Sequence, residues 1–400
     1  MTRSELVLVA PVALALTLPL VACAGMSDGE RRAALERSLH AIDPNAEPRP
    51  PEDPPEDGKP AFDTEYYLGS KSDEAVRFRA FMKQIQAIQD EGARDHHQPV
   101  QRGFHAKAHG CLHGVFRLAP DRAPRTRYGI FADGEPERPV WVRFSNGVGW
   151  KQADDALDAR GMAVKVMRVP GKKYMADEQL TQDFLMTNSP TPVGKDAEEF
   201  MEFARANVNG RAAGIFFLLE HPRTAAPALL RTGAVDSMVT TQYWSGSAYH
   251  LGAHQAIKFT AKACPGTAAR RTSHDDPNYL HRDLAAAAKQ GVCMSFYVQF
   301  QFDPELTPIE NASKEWDESV APLVHVGDVV MPPQDIEAPG MKEFCQELSF
   351  NPWHALAEHK PMGHINRARL FVYGASAAHR KSGPEPVPYG EAPAPASPKP

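Results

Sequence analysis

Alternation of apolar and polar side chains marks four segments of the chain as strands: 139–145, 161–169, 257–263 and 295–302. In the last, Phe296, Val298, Phe300 and Phe302 share one face and Tyr297, Gln299 and Gln301 the other, so one side is buried while the opposite side is polar or lines something. Helical spacing instead runs through 195–208, where Ala197, Phe200, Ala204 and Val208 fall on one side with Phe203 flanking it. A second helix is predicted over 73–93, with Val76, Phe78, Phe81, Met82, Ile85 and Ile88 as its apolar positions. No regular βαβ rhythm joins these elements. Long alternating strands without crossover helices predict an α+β fold, an antiparallel sheet or barrel with helices grouped at one side.

The two ends of the chain break this pattern. Residues 6–24 form an apolar run interrupted by Pro11 and Pro19 and preceded by Arg3, which reads as an export signal rather than a spanning helix. Within it, Leu20-Val21-Ala22-Cys23 resembles a bacterial lipobox, whose cysteine is acylated and anchors the protein to a membrane; cleavage after Ala22-x-Ala24 is the competing reading. A start at Met26 would remove the signal and leave a cytoplasmic protein. Proline is the one compositional anomaly, and windows 44–60 and 384–400 hold 14 of the 36 prolines. Both windows lack apolar periodicity and read as solvated, extended arms. The expected organisation is therefore a signal over 1–24, a Pro-rich linker over 25–63, one folded domain over 64–382 and a Pro-rich tail over 383–400.

At 42% hydrophobic and 24% charged residues over 400 positions, the chain has the make-up of an ordinary globular protein with a large core. A net charge of −6 provides no bulk field to hold a polyanion, which argues against nucleic acid as a partner. Cys111, Cys264, Cys293 and Cys345 are scattered with no C-x-x-C pair, so zinc-type spacing is absent; they could pair in an exported protein or remain buried thiols.

The chemistry-bearing residues lie far apart in sequence. They are Arg102-Gly103-Phe104-His105-Ala106-Lys107-Ala108-His109-Gly110, then Val142-Arg143-Phe144-Ser145, Arg160-Gly161-Met162-Ala163-Val164-Lys165 and Asn188-Ser189-Pro190, and finally Arg369-Leu370-Phe371-Val372-Tyr373 with Arg380 seven positions on. Taken singly, each has a structural explanation. Taken together and in order, they resemble the haem catalase family, whose R-x-x-H-A-K, V-R-F-S, R-G-x-A-x-K, N-[ST]-P and R-x-F-x-Y motifs they match across most of the folded body.

The resemblance implies a catalase-like closed antiparallel β-barrel with surrounding and C-terminal helices, binding haem b. It implies His105 as the distal base, Ser145 as its hydrogen-bond partner and Asn188 as the residue that orients peroxide. Tyr373 would be the iron ligand and Arg369 its partner, with Arg102, Arg143 and Arg380 on the haem propionates. His109, which occupies a variable place in the motif, is a second candidate for the distal role. The family's first glycine is Ala108 here, and the motifs span a short chain without a large C-terminal domain, which looks like the small catalase-related peroxidases. The activity implied is reduction of hydrogen peroxide or organic hydroperoxides through a ferryl intermediate, with an unknown electron donor and an oligomer as further expectations. A non-catalytic haem store or sensor and a hydroperoxide isomerase are the alternatives on the same fold.

Elementary chemistry agrees with these residue types. Holding a phenol of pKa about 10 as phenolate at pH 7 costs about 4 kcal/mol. A guanidinium about 4 Å away returns about 4 kcal/mol at an effective dielectric of about 20. Arg369 precedes Tyr373 by one helical turn, on the same face. A neutral imidazole can take a proton from one peroxide oxygen and deliver it to the other.

Overall fold

The computed structural model describes residues 67–175, 180–224 and 233–380. The expected signal, linker and tail lie outside the described residues. Nine strands are found among those described: β1 (Ala108–Leu118), β2 (Glu137–Asn146), β3 (Arg160–Val166), β4 (Gln182–Thr187), β5 (Tyr243–Trp244), β6 (Tyr249–His250), β7 (Ala256–Ala263), β8 (Val292–Phe300) and β9 (Val324–Met331). Every pairing is antiparallel, and β5 pairs with β7 while β1 pairs with β9. Eight strands therefore close into a barrel, and the short β6 adds to β7 beside it.

Closure makes the alternation of each strand decisive, because one parity faces the barrel axis and the other faces outward. Val140, Val142 and Phe144 of β2, Met162, Val164 and Val166 of β3, and Phe184 and Met186 of β4 enter the barrel core. Inside, Phe184 stands 5.0 Å from Phe259 and 5.1 Å from Phe296, ring centre to ring centre, and Phe116 stands 5.3 Å from Phe296. The interior is thus packed with side chains. The other parity, which carries Arg143, Ser145, Gly161 and Thr187, faces outward at one end of the barrel.

Among the described residues these helices accompany the barrel: α1 (Lys71–Asp95), α2 (Ala197–Val208), α3 (Arg211–Glu220), α4 (Tyr279–Ala288), α5 (Met341–Glu347) and α6 (His364–His379). Helix α1 begins at a capping box in which the Ser70 hydroxyl accepts from the Asp73 amide and the Asp73 carboxylate accepts from the Ser70 amide. Its Phe78, Phe81 and Ile88 meet Ala197, Met201 and Ala204 of α2 and Ile365 and Ala368 of α6 in one apolar cluster. Two expectations change in detail. Val76 is 65% exposed, and the polar face of β8 is covered, because the Gln299 amide donates to the carbonyls of Trp316 and Ala321 at 2.8 Å each.

All four cysteines beyond the N-terminal region are paired. Cys111 of β1 is joined to Cys345 of α5, and Cys264 to Cys293. Among the described residues no helix is long and apolar enough to cross a membrane.

Candidate active site

Register builds the site. Ala108 pairs with Ser145, Ser145 with Gly161, and Gly161 with Thr187, so one row of residues crosses four strands at the same barrel end. His105 precedes β1 at this end and adopts φ 59°, a left-handed backbone that few non-glycine residues take. Two backbone bonds hold it there: the His105 amide donates to the Gly147 carbonyl at 2.7 Å and the Ala106 amide to the Val148 carbonyl at 3.0 Å. The Asp158 carboxylate in turn accepts from the Gly147 and Val148 amides at 3.1 and 3.3 Å.

The His105 ring lies with Nδ1 3.1 Å from the Ser145 hydroxyl. Gly161 makes room for it. A Cβ at that position would stand 2.5 Å from His105 Nδ1 and 2.9 Å from Ser145 Oγ. Burial, followed by the positive field of Arg143, Arg369 and Arg102, pulls His105 down to about 4, so its imidazole is neutral at physiological pH.

Asn188 follows β4, one position past Thr187 and opposite Arg160. Its Oδ1 accepts from the Arg160 amide at 2.7 Å, and its own amide donates to the Arg160 carbonyl at 2.9 Å. With the oxygen committed to the backbone, the carboxamide NH2 is the end that offers donors.

The arginines converge on the same region. Arg143 is buried, and among the described residues its guanidinium donates to the backbone carbonyls of His105 at 2.9 Å and Ala106 at 3.5 Å, while its Nε has no acceptor. Burial and the neighbouring Arg380 draw it down to about 9. Arg102 donates to the Leu348 carbonyl, and Arg380 to the Gln346 carbonyl at 3.0 Å, so both are fastened to the C-terminal end of α5. The Cys111–Cys345 bridge ties that helix back to β1.

Helix α6 carries Arg369 and Tyr373 one turn apart, with Arg380 at its C-terminal cap. Arg369 donates to Asn366 Oδ1 at 3.0 Å. The helix is fixed against the His105 segment by Ser376, whose hydroxyl accepts from the Gly103 amide at 3.3 Å, and by Gln89 of α1, whose amide donates to both the Gln101 and Ser376 carbonyls.

Not every sequence candidate joins this group. His109 is buried elsewhere, with Nε2 2.8 Å from Asn146 Oδ1 and Nδ1 3.9 Å from Asp154, and Lys107 pairs with Asp154 at 2.6 Å. That network braces the loop beneath His105, so the structure gives His105, and not His109, to the arginine-lined face. Three contributors had no sequence signal beyond their residue type: Gln89, Asn366 and Ser376.

Residues 66–214 match the family described as Catalase. Over that stretch the chain is similar to catalases. It is 24% identical to Catalase-2 of Bacillus subtilis over 271 residues, covering 59% of this chain and 38% of that one. It is 26% identical to the Bromoperoxidase-catalase of Streptomyces venezuelae over 316 residues, covering 70% of this chain and 61% of that one. Among solved structures, catalase A from Saccharomyces cerevisiae superposes with a TM-score of 0.56 at 20% identity, covering 72% of this chain and 62% of that one. A bacterial catalase gives 0.57 at 16% identity, covering 86% and 69%. The chain thus spans 38% of Catalase-2 and 35% of Catalase-1 of Neurospora crassa. The catalase match contains His105, Ser145 and Asn188 and ends before α6.

Proposed function

We propose that this chain is a haem-dependent peroxidase of the small catalase-related type, reducing hydrogen peroxide or organic hydroperoxides at the expense of an electron donor. The observation that carries the reading is a neutral imidazole held by a serine and set among guanidiniums, of which Arg143 is buried with no carboxylate partner among the described residues. A buried cation left with backbone acceptors alone is costly. Two propionates would relieve that cost, and bidentate guanidinium geometry suits them.

The donor set fits haem. Tyr373 would ligate the iron with Arg369 one turn away to stabilise its phenolate, and Arg102, Arg143 and Arg380 would take the propionates. Haem, when bound, would supply the two electrons needed to cleave the peroxide O–O bond. His105 would accept a proton from one peroxide oxygen and deliver it to the other, which would leave as water or as an alcohol. Ser145 holds the ring through Nδ1, leaving Nε2 to carry that proton. Asn188 donates to the peroxide and orients it. The donor, of unspecified structure, restores two electrons and two protons per cycle, so one peroxide yields two waters, or one water and an alcohol.

Two disulfides support an oxidising compartment. We place the protein in the cell envelope on that ground, carried there by residues 1–24, with a lipid on Cys23 as the means of anchoring.

The test is peroxide consumption by haem-reconstituted protein with a generic phenolic donor, alongside His105→Ala. The reading requires turnover in the parent and at least a 100-fold loss in the variant with haem retained. Haem uptake without turnover in either protein would make the chain a haem store or sensor.

A further inference from the structure

Among the described residues the two disulfides sit in opposite surroundings. Cys111 and Cys345 are 1% and 3% exposed and lie in an apolar cluster with Trp141, Met167 and Phe344. Cys264 and Cys293 are half-buried, and the register of three strands puts polar side chains beside them. Cys264 stands one place past the end of β7, where its amide donates to the Cys293 carbonyl of β8 at 3.1 Å. Two places along β8, Ser295 pairs with Asp328 of β9, and Tyr297 pairs with His325. Met294 and Phe296 alternate with these residues and enter the barrel core, so Cys293 and Ser295 face outward.

Asp328 Oδ1 is the centre of this patch. It accepts from the Ser295 hydroxyl at 2.7 Å and lies 3.0 Å from His325 Nε2 and 3.9 Å from Cys264 Sγ. The same hydroxyl stands 3.4 Å from Cys264 Sγ, so it can turn its proton from the carboxylate to that sulfur. Displacement of a sulfur puts negative charge on it, and a donor already at Cys264 makes that side the better leaving group. Access and a ready leaving group open a disulfide to exchange, whereas apolar burial closes it.

The bridge also closes the neck of segment 265–292. Residues 265–278 form no helix or strand and are mostly exposed. At its far end this stretch grips the candidate active site: the Pro277 carbonyl accepts from the Asp154 amide at 3.0 Å and from Lys107 Nζ at 2.9 Å. Helix α4 follows at once, with the Leu280 amide donating to the Asp154 carboxylate at 2.9 Å and His281 Nδ1 to the His109 carbonyl at 2.6 Å. Lys107 and His109 continue the segment that carries His105. Cys264–Cys293 is thus the covalent restraint on the chain that braces the His105 loop.

We propose that Cys264–Cys293 is a thiol–disulfide exchange site for a dithiol, and that its opening loosens the grip of α4 on the His105 loop. The first thiolate of the dithiol attacks Cys293 Sγ and breaks the sulfur–sulfur bond. Cys264 departs as a thiolate, received by the Ser295 hydroxyl and then protonated from solvent. The second thiolate attacks the reagent's own sulfur in the mixed disulfide and releases Cys293, which is protonated in turn. The dithiol has lost two electrons and two protons, and the two cysteines have gained them. The site needs no haem and stands apart from the peroxidase reading.

The experiment treats the folded full chain with dithiothreitol in the absence of denaturant, traps thiols with N-ethylmaleimide over time and maps the labelled peptides. Cys264 and Cys293 should be labelled about 100-fold faster than Cys111 and Cys345. Ser295→Ala should slow their labelling about tenfold and leave the other pair unchanged. Hydrogen exchange at the Leu280 amide should quicken about fivefold in the opened protein, and equally in Cys264→Ser/Cys293→Ser. Equal labelling of the two pairs, or labelling of Cys264 and Cys293 only in urea, overturns the exchange site. An unchanged rate in Ser295→Ala overturns departure from Cys264, and an unchanged Leu280 amide in both opened forms overturns the link to His105.

Discussion

Nδ1 of His105 and the hydroxyl of Ser145 lie 3.1 Å apart, across two segments separated by 40 positions in sequence. The contact orients the ring and frees Nε2 for proton transfer. Ser145→Ala should keep the fold and haem uptake but lower peroxide turnover by about 10–100-fold, the usual cost of losing a group that fixes a functional histidine. Steady-state kinetics of the two reconstituted proteins checks this, with the loss expected in kcat and not in the melting temperature.

Gly161 is a steric requirement of the same pair. Gly161→Ala places a methyl within 2.5 Å of His105 Nδ1, and strand β3 is too well paired to move away. The ring must rotate off Ser145. Peroxide turnover should fall at least as far as in Ser145→Ala, with about 1–3 kcal/mol of stability lost to overpacking. A Gly161→Ala protein with full activity would show that His105 needs no such slot.

Acid should destabilise the haem-free protein well above the range where carboxylates titrate. Burial draws His105, His109 and His364 down to about 4 and His359 to about 3. Each is neutral when folded and binds a proton when unfolded once the pH drops below about 6.5. The unfolded state therefore gains protons first, and stability falls as pH falls from about 6.5 to about 4. Asp158, pushed up to about 6 by burial, works in the opposite sense over part of that window by binding a proton in the folded state. The balance of roughly three protons gives a slope of about 4 kcal/mol per pH unit at its steepest. Urea titrations between pH 7 and pH 5 measure it, and His359→Gln should reduce the slope by up to one proton.

The Cys111–Cys345 bridge joins β1 to the helix whose end receives Arg102 and Arg380. Removing it as Cys111→Ser/Cys345→Ser should cost about 2–5 kcal/mol of stability. Haem should also dissociate faster, because the propionate arginines lose their brace. Non-reducing peptide mapping verifies the linkage, and transfer of haem to an apo-globin acceptor measures the dissociation.

Much of this arrangement was legible in the sequence, for identifiable reasons. The alternation in 139–145 already separated Val142 and Phe144 from Arg143 and Ser145, and the closed barrel turned that parity into inside and outside. His105 stood in a motif that matched as a block. What stayed hidden depended on contacts between distant segments. Spacing could not say whether Cys111 meets Cys345, since four cysteines permit several connectivities. Nor could it separate His105 from His109, four residues apart, because the left-handed turn at His105 and the onset of β1 send the two rings to different surroundings.

The central claim is that Tyr373 would hold a haem iron, and it is tested most directly by the absorption spectrum of the purified protein reconstituted with haem, parent against Tyr373→Phe. The account predicts a Soret band with a phenolate-to-iron charge-transfer feature in the parent, and loss of that feature with strongly weakened haem retention in the variant. An identical spectrum with full haem in Tyr373→Phe, or no haem uptake by the parent, would contradict it.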